Sequence, residues 1–253
     1  MEIQIRKGAI MKIIIAKDYE EMSQKAFEIM KEVVVNKPDA VLGLATGTTP
    51  LGLYARMAED HKTNGTSYKN IKTVNLDEYA GLGAESDQSY VYFMRENLFR
   101  YLDIDPANTN IENGLAEDAI AECDRYNALL ATMTQDIQLL GLGSNGHIAF
   151  NEPGTSFDSV THVVQLAEST IRDNARLFPD ISMVPRSAFT MGLKNIMDAK
   201  KVLILASGAN KARAVAAMAY GEVTEEVPAS ILQKHQNCIL IVDEAAASML
   251  PNA

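Results

Sequence analysis

The stretch Gly143-Ser144-Asn145-Gly146-His147, followed five residues later by Glu152, places an amide, an imidazole and a carboxyl on one glycine-rich loop. A histidine whose second ring nitrogen is oriented by a carboxylate or an amide is a proton-transfer device near neutral pH. The same residues could instead satisfy the ends of a folded loop. Asp77-Glu78-Tyr79 offers two adjacent carboxyls. On extended backbone they point to opposite sides, so one can face a ligand as a general base while the other stands behind it. Acidic residues at strand ends also serve as caps and turn formers. Thr46-Gly47-Thr48-Thr49-Pro50 and Ser207-Gly208-Ala209-Asn210-Lys211 are small-residue turns that each open a helical pattern. There, backbone N–H groups and hydroxyls can cradle an anion, and Pro50 suits a first helical position. Lys211 would sit in a first helical turn, where the macrodipole disfavours a cation unless an anion lies between. An ordinary turn capped by Thr49 and a solvated Lys211 are the alternatives.

Gly141, Gly143 and Gly146 also spell G-x-G-x-x-G, the dinucleotide-binding fingerprint. That motif needs a helix starting at its third glycine. Here His147–Glu152 runs into Pro153-Gly154, which leaves no space for one, although Glu168 lies near the distance of a ribose-binding acid. The loop reads instead as a proton-transfer loop or as a folded loop whose His and Glu satisfy its ends. A single His with a single Glu and no H-E-x-x-H is not a metal-ligand set, and the P-loop pattern is absent.

These loops need elements to hold them at one edge. The apolar runs MKIIIA, AVLGLA, IKTVNL, IQLLGL, THVVQL, SAFTMGL, KVLILA and NCILIV alternate with amphipathic stretches expected as helices over 18–36, 88–101, 117–133, 168–177 and 209–220. The pattern predicts an α/β fold, a doubly wound, mainly parallel, Rossmann-like sheet with helices on both faces. In such a sheet, ligands gather at the carboxyl ends of the strands, where the four loops above fall. Residues 11–253 are expected as a single catalytic domain, with 1–10 as an extension or alternative start.

The 253 residues, 47% hydrophobic, suffice for one sizeable core. A formal charge of −10 with no basic cluster argues against nucleic-acid or anionic-membrane partners. Two cysteines, no signal-peptide core and no run of about 18 apolar residues suit a cytoplasmic protein.

The combination LATGTTP, NLDEY, LGLGSNGHIAFNEPG and SGANKA closely resembles the glucosamine-6-phosphate deaminase family, over nearly all the chain from Met11 onward. The resemblance implies conversion of glucosamine 6-phosphate and water to fructose 6-phosphate and ammonia, with no cofactor and no metal. It implies that Asp77 moves the C2 proton toward C1, that His147 opens the pyranose ring, and that Glu152 and Asn145 orient and polarise the imidazole. It places the substrate phosphate on Thr46, Gly47, Thr48 and Thr49, with Arg176 and Lys211 completing the clamp. Some members of the family carry aspartate at the position of Asn145; an amide can hold His147 but cannot stabilise an imidazolium by charge. The related 6-phosphogluconolactonases share the fold and the threonine/glycine loop but lack FNEP. A sugar-phosphate sensor is the non-enzymatic rival, and it would ordinarily carry a DNA-binding segment. THVVQL offers only His162 to a second phosphate, and the chain ends soon after VDEAAASMLPNA. The expectation is a monomer or small homo-oligomer without effector control.

Overall fold

Asp18 ends one strand pattern and starts a helix: its carboxylate accepts the Glu21 N–H at 2.9 Å, which satisfies an otherwise orphaned donor. Similar caps fix the starts of two other helices, from Ser89 to the Tyr92 N–H and from Asp118 to the N–H groups of Ile120 and Ala121. The computed structural model describes residues 2–4, 11–166, 171, 175, 178 and 180–251. Its first elements are β1 (Glu2–Gln4), β2 (Lys12–Ala16), α1 (Tyr19–Asn36), β3 (Val41–Leu44), α2 (Leu51–Asn64) and β4 (Lys72–Asn75). They are followed by β5 (Asp77–Tyr79), α3 (Tyr90–Asn97), β6 (Thr109–Asn110), α4 (Ala119–Thr132), β7 (Ile137–Gly141), β8 (His162–Gln165) and β9 (Ser187–Thr190). The last are α5 (Leu193–Met197), β10 (Val202–Ala206), α6 (Ala212–Tyr220), β11 (Cys238–Asp243) and α7 (Glu244–Ala247).

Among the described residues, eight strands form one sheet in the order β1-β2-β11-β10-β7-β3-β4-β6, parallel except for β1. Residues 2–4, expected as part of an extension, thus add an antiparallel edge, Glu2 opposite Ile14. The central strands are apolar on both faces, as a sheet covered on both sides requires; all five residues of β10 are buried. Each fully buried aliphatic side chain there contributes about 1.5–3 kcal/mol. From β3 the chain moves outward to β4, and from β7 it moves the opposite way to β10. The boundary between β3 and β7 is therefore a topological switch point, where a crevice opens beyond the carboxyl ends.

THVVQL and SAFTMGL do not join this sheet, contrary to the uniform alternation read from the sequence. They form β8 and β9, which pair antiparallel with β5 in a separate three-stranded sheet. Period-2 and continuous apolar patterns do not encode which sheet a strand joins. The small sheet carries its own apolar cluster, Tyr79, Phe150, Leu166, Ile171, Val184 and Ala188. The helix expected over 168–177 falls largely outside the described residues. No helix among the described residues is long and apolar enough to cross a membrane. Cys123 and Cys238 are buried free thiols.

Candidate active site

The loops after β3, β4, β7 and β10, four adjacent strands, converge on one cleft of about 340 Å³ at the switch point. Thr46, Gly47, Thr49, Asp77, His147 and Lys211 all line it.

The threonine loop is held from behind. Tyr54 of α2 donates to Ala45 O at 2.6 Å and accepts the Ala45 N–H, fixing the end of β3. The Tyr19 hydroxyl lies 3.1 Å and 3.2 Å from the carbonyls of Thr48 and Thr49 and accepts the Gly52 N–H at 2.8 Å. Gly47 sits at φ +94°, a left-handed conformation that favours glycine. None of the described residues accepts a hydrogen bond from the N–H of Gly47, Thr48 or Thr49. Pro50 is the N-cap rather than the first helical residue, and no side chain caps α2, so the capping reading of Thr49 does not hold. Thr48 is exposed and does not line the cleft with its neighbours, so its share in any anion site is a backbone one.

On the other flank, Gly208 (φ +94°) opens a 3₁₀ turn over Ala209–Lys211 that leads into α6. Asp243 pins this turn by accepting from the Ser207 hydroxyl and the Gly208 N–H, and it also caps α7 at the Ala246 N–H. Lys211 is half-buried beside that helix start. Burial holds its ammonium below the ordinary lysine range, with no carboxylate among the described residues offsetting it. An unpaired cation beside a helix N-terminus is placed to meet an anion. Arg176 lies outside the described residues.

The strand Asp77–Tyr79 places its two carboxyls on opposite sides, as alternation requires. Asp77 faces the cleft. Burial, and secondarily the Glu78 charge, push its carboxyl up to about 8. Asp77 pairs across to Thr190 of β9, whose hydroxyl accepts the Phe150 N–H at 3.2 Å. The Asn151 amide donates to the carbonyls of Ile148 and Met191. The small sheet thereby binds the Asp77 strand and the histidine loop into one unit.

No helix follows Gly146, so the dinucleotide reading fails on structure as it does on sequence. Two of the loop's glycines, Gly143 and Gly146, have a local reason instead. Gly146 is at φ +88°, and a Cβ on Gly143 would stand 2.4 Å from His147 Nε2, so the imidazole lies against bare backbone. The ring's Nδ1 is buried 3.3 Å from Glu152 Oε1, charge-pair distance but outside hydrogen-bond geometry. Among the described residues' hydrogen bonds, those of the Asn145 side chain go to Glu152 and the His147 backbone rather than to the imidazole. The Asn145 amide donates to Glu152 Oε2 at 2.7 Å and its oxygen accepts the His147 backbone N–H at 3.2 Å. Asn145 aims the carboxylate, and the carboxylate faces the ring.

Sequence reasoning missed Tyr90, Phe150 and Ala149, which line the same cleft. Tyr90 faces Thr46 and Tyr79 with its phenol, and its ring lies nearly parallel to Phe150, 8° apart with centroids at 6.3 Å. Ala149 is at φ +52°, alone in this among the described non-glycine residues, at a cost of about 1 kcal/mol or more. Only a turn signal tight enough to force that conformation could have revealed it.

A family model described as glucosamine-6-phosphate isomerases/6-phosphogluconolactonase matches residues 17–241. A glucosamine-6-phosphate deaminase of Geobacillus sp. (strain WCH70) is 52% identical, with the alignment covering 96% of this chain and 97% of the relative. Glucosamine-6-phosphate deaminase 1 of Bacillus subtilis (strain 168) is 48% identical over 95% of this chain and all of its own. A solved monomeric glucosamine-6-phosphate deaminase superposes with a TM-score of 0.91 at 48% identity, covering 94% of this chain and 99% of that one. A 6-phosphogluconolactonase from Trypanosoma brucei shares the fold, with a TM-score of 0.78 at 22% identity over 94% of this chain and 98% of its own. With this match running from the first helix to the last strand, the chain belongs to the glucosamine-6-phosphate isomerase/6-phosphogluconolactonase family.

Proposed function

We propose that the protein is a glucosamine-6-phosphate deaminase, a deaminating isomerase of hydrolase type. It converts glucosamine 6-phosphate and water to fructose 6-phosphate and ammonia. The observation that carries this reading is the cleft itself: a buried carboxyl of raised proton affinity, a histidine backed by Glu152, and a lysine with no carboxylate partner among the described residues line one cavity. The near-complete match to deaminases at about half identity supports it.

The chemistry assigns work to each group. A closed aldose ring has no carbonyl to acidify C2–H, so ring opening comes first. His147, steered by Glu152, moves the proton between O1 and O5, and Asn145 positions Glu152. Asp77 takes the C2 proton and returns it to C1. That shift carries the double bond through an enolamine to an iminium at C2. Water adds there, and ammonia leaves. The phosphate lies on Thr46, Gly47, Thr48 and Thr49, with Lys211 and Arg176 as its cations. Every step is a proton transfer or a hydration within reach of side chains, so neither cofactor nor metal is invoked. We read residues 11–253 as one catalytic domain, cytoplasmic in keeping with its free thiols, and monomeric or a small oligomer.

Incubation with glucosamine 6-phosphate tests the reading by ammonia and fructose 6-phosphate release. Hydrolysis of 6-phosphogluconolactone instead would assign the chain to the other branch, and ligand binding without turnover would make it a sensor. Lys211→Ala should raise KM about tenfold or more with little change in kcat, since a hydrogen bond to a charged group contributes about 1.5–3 kcal/mol and the phosphate is remote from C2. An unchanged KM would make Lys211 a bystander. Initial rates should be hyperbolic in substrate and indifferent to N-acetylglucosamine 6-phosphate. The only titratable cation of the THVVQL strand, His162, already has its Nδ1 on Val160 O at 2.8 Å. A sigmoidal curve straightened by that effector would contradict this.

A further inference from the structure

Asp77 and Glu78 are neighbours in sequence with opposite surroundings. Glu78 is 1% exposed, and its carboxylate accepts three backbone N–H groups: Tyr79 at 2.8 Å, Tyr90 at 2.9 Å and Val91 at 2.9 Å. The last two are the first residues of α3, so the charge sits on a helix N-terminus that favours it. None of the described residues donates a hydrogen bond to the Asp77 carboxyl. Two adjacent buried carboxyls titrate as a pair, and the one with donors keeps the charge.

We propose that Glu78 is a positioning residue for this reaction: its carboxylate, held by three backbone N–H groups, ties the Asp77 strand to the first turn of α3 and keeps a fixed charge directly behind Asp77. The inference rests on the reading of Asp77 as the base.

The other groups around Asp77 leave this role to Glu78. Glu112, just beyond β6, is buried with both oxygens lacking hydrogen-bond partners, and burial pushes its carboxyl well above the usual range, so it stays neutral. Glu122, farther out, is neutralised by Arg125. The Tyr90 phenol is raised well above its ordinary value and carries no charge. His147 and Lys211 share the cleft on the substrate side. Burial lifts Glu78 too, but its three donors oppose the lift, whereas nothing opposes it at Asp77. The anchor has a second reach. By fixing Tyr90 it also fixes the ring that faces Thr46 and stacks on Phe150.

The test is the pH dependence of kcat on glucosamine 6-phosphate for the wild type, Glu78→Gln and Glu78→Asp. Asp77 must be ionised to act as a base, so activity has an acid limb that reports it. In Glu78→Gln the limb should move down by about one pH unit as a like charge disappears, and the plateau should fall about tenfold or more. Glu78→Asp keeps the charge but is too short to reach three donors, so its limb should stay at the wild-type pH while kcat falls. A wild-type limb in Glu78→Gln, or equal movement in both variants, overturns the inference. If either variant fails to fold, titration of ¹³C-labelled carboxyls in the wild type decides: Asp77 protonated at pH 7 beside an ionised Glu78 supports it, and the reverse order overturns it. Absence of ammonia release by the wild type is a separate result that rejects the functional reading, and the carboxyl titration still applies.

Discussion

Asp77→Asn is expected to lose about 10²–10⁴-fold in turnover, the usual contribution of a positioned general base, while gaining stability. The second half follows from linkage. The Asp77 carboxyl titrates near 8 in the folded protein against an ordinary 3.8, so the fold prefers the protonated form. That preference is fully satisfied below the ordinary value and is progressively lost as pH rises through the folded one. Asparagine has no proton to lose. The variant's advantage should therefore be absent near pH 4, grow between pH 4 and 8, and level off above. Its size is on the order of a few kcal/mol at most, because each pH unit of displacement corresponds to about 1.4 kcal/mol and desolvation of the amide offsets part of it. Thermal midpoints of both proteins at pH 5 and pH 8 measure the growth, and solvent deuterium incorporation at C1 measures the chemistry. Near wild-type turnover would remove Asp77 from the role. A midpoint difference independent of pH would mean that the carboxyl is ionised in the free protein.

The four loops were legible because a parallel α/β chain follows a grammar: apolar run, small-residue turn, amphipathic run, with the turns gathered at one edge. The split between Asp77 and Glu78 was legible from strand alternation alone. What decides their chemistry was not, because it lies in α3 and β9, both distant in sequence. Nothing in SAFTMGL says that it will leave the main sheet to pair with Asp77–Tyr79. Nothing near Tyr90 says that its ring will cover Phe150. Asn145 illustrates the limit most closely. Its spacing from His147 suggested a contact with the imidazole, but a loop that turns at Gly146 presents the His147 backbone to the amide and leaves the ring to Glu152. Residue types in a loop survive inspection of the sequence; which atom meets which does not.

Gly143→Ala should reduce kcat about 10²-fold with little change in stability, and the two halves of that expectation have the same cause. Gly143 is not among the positive-φ residues, so alanine can adopt its backbone without strain. What alanine cannot do is coexist with the imidazole. Its Cβ would lie 2.4 Å from His147 Nε2 and 2.5 Å from Cδ2 and Cε1, against the ring as a whole rather than one atom. The ring ends a rotatable side chain at a partly open cleft, so it can swing away at small energetic cost, and the fold survives. Displacement of about 1 Å is enough to cost on the order of 10²-fold when a proton must pass between the ring oxygen O5 and the O1 hydroxyl. Gly146→Ala is the instructive contrast. Gly146 sits at φ +88°, and a Cβ there would meet Val227 Cγ1 at 2.8 Å, so that variant should lose thermal stability together with activity. Paired melting curves and rates for the two variants separate the roles of neighbouring glycines. If Gly143→Ala kept full activity, the imidazole would not need its place above the bare backbone, and His147 would lose its claim to the ring-opening step.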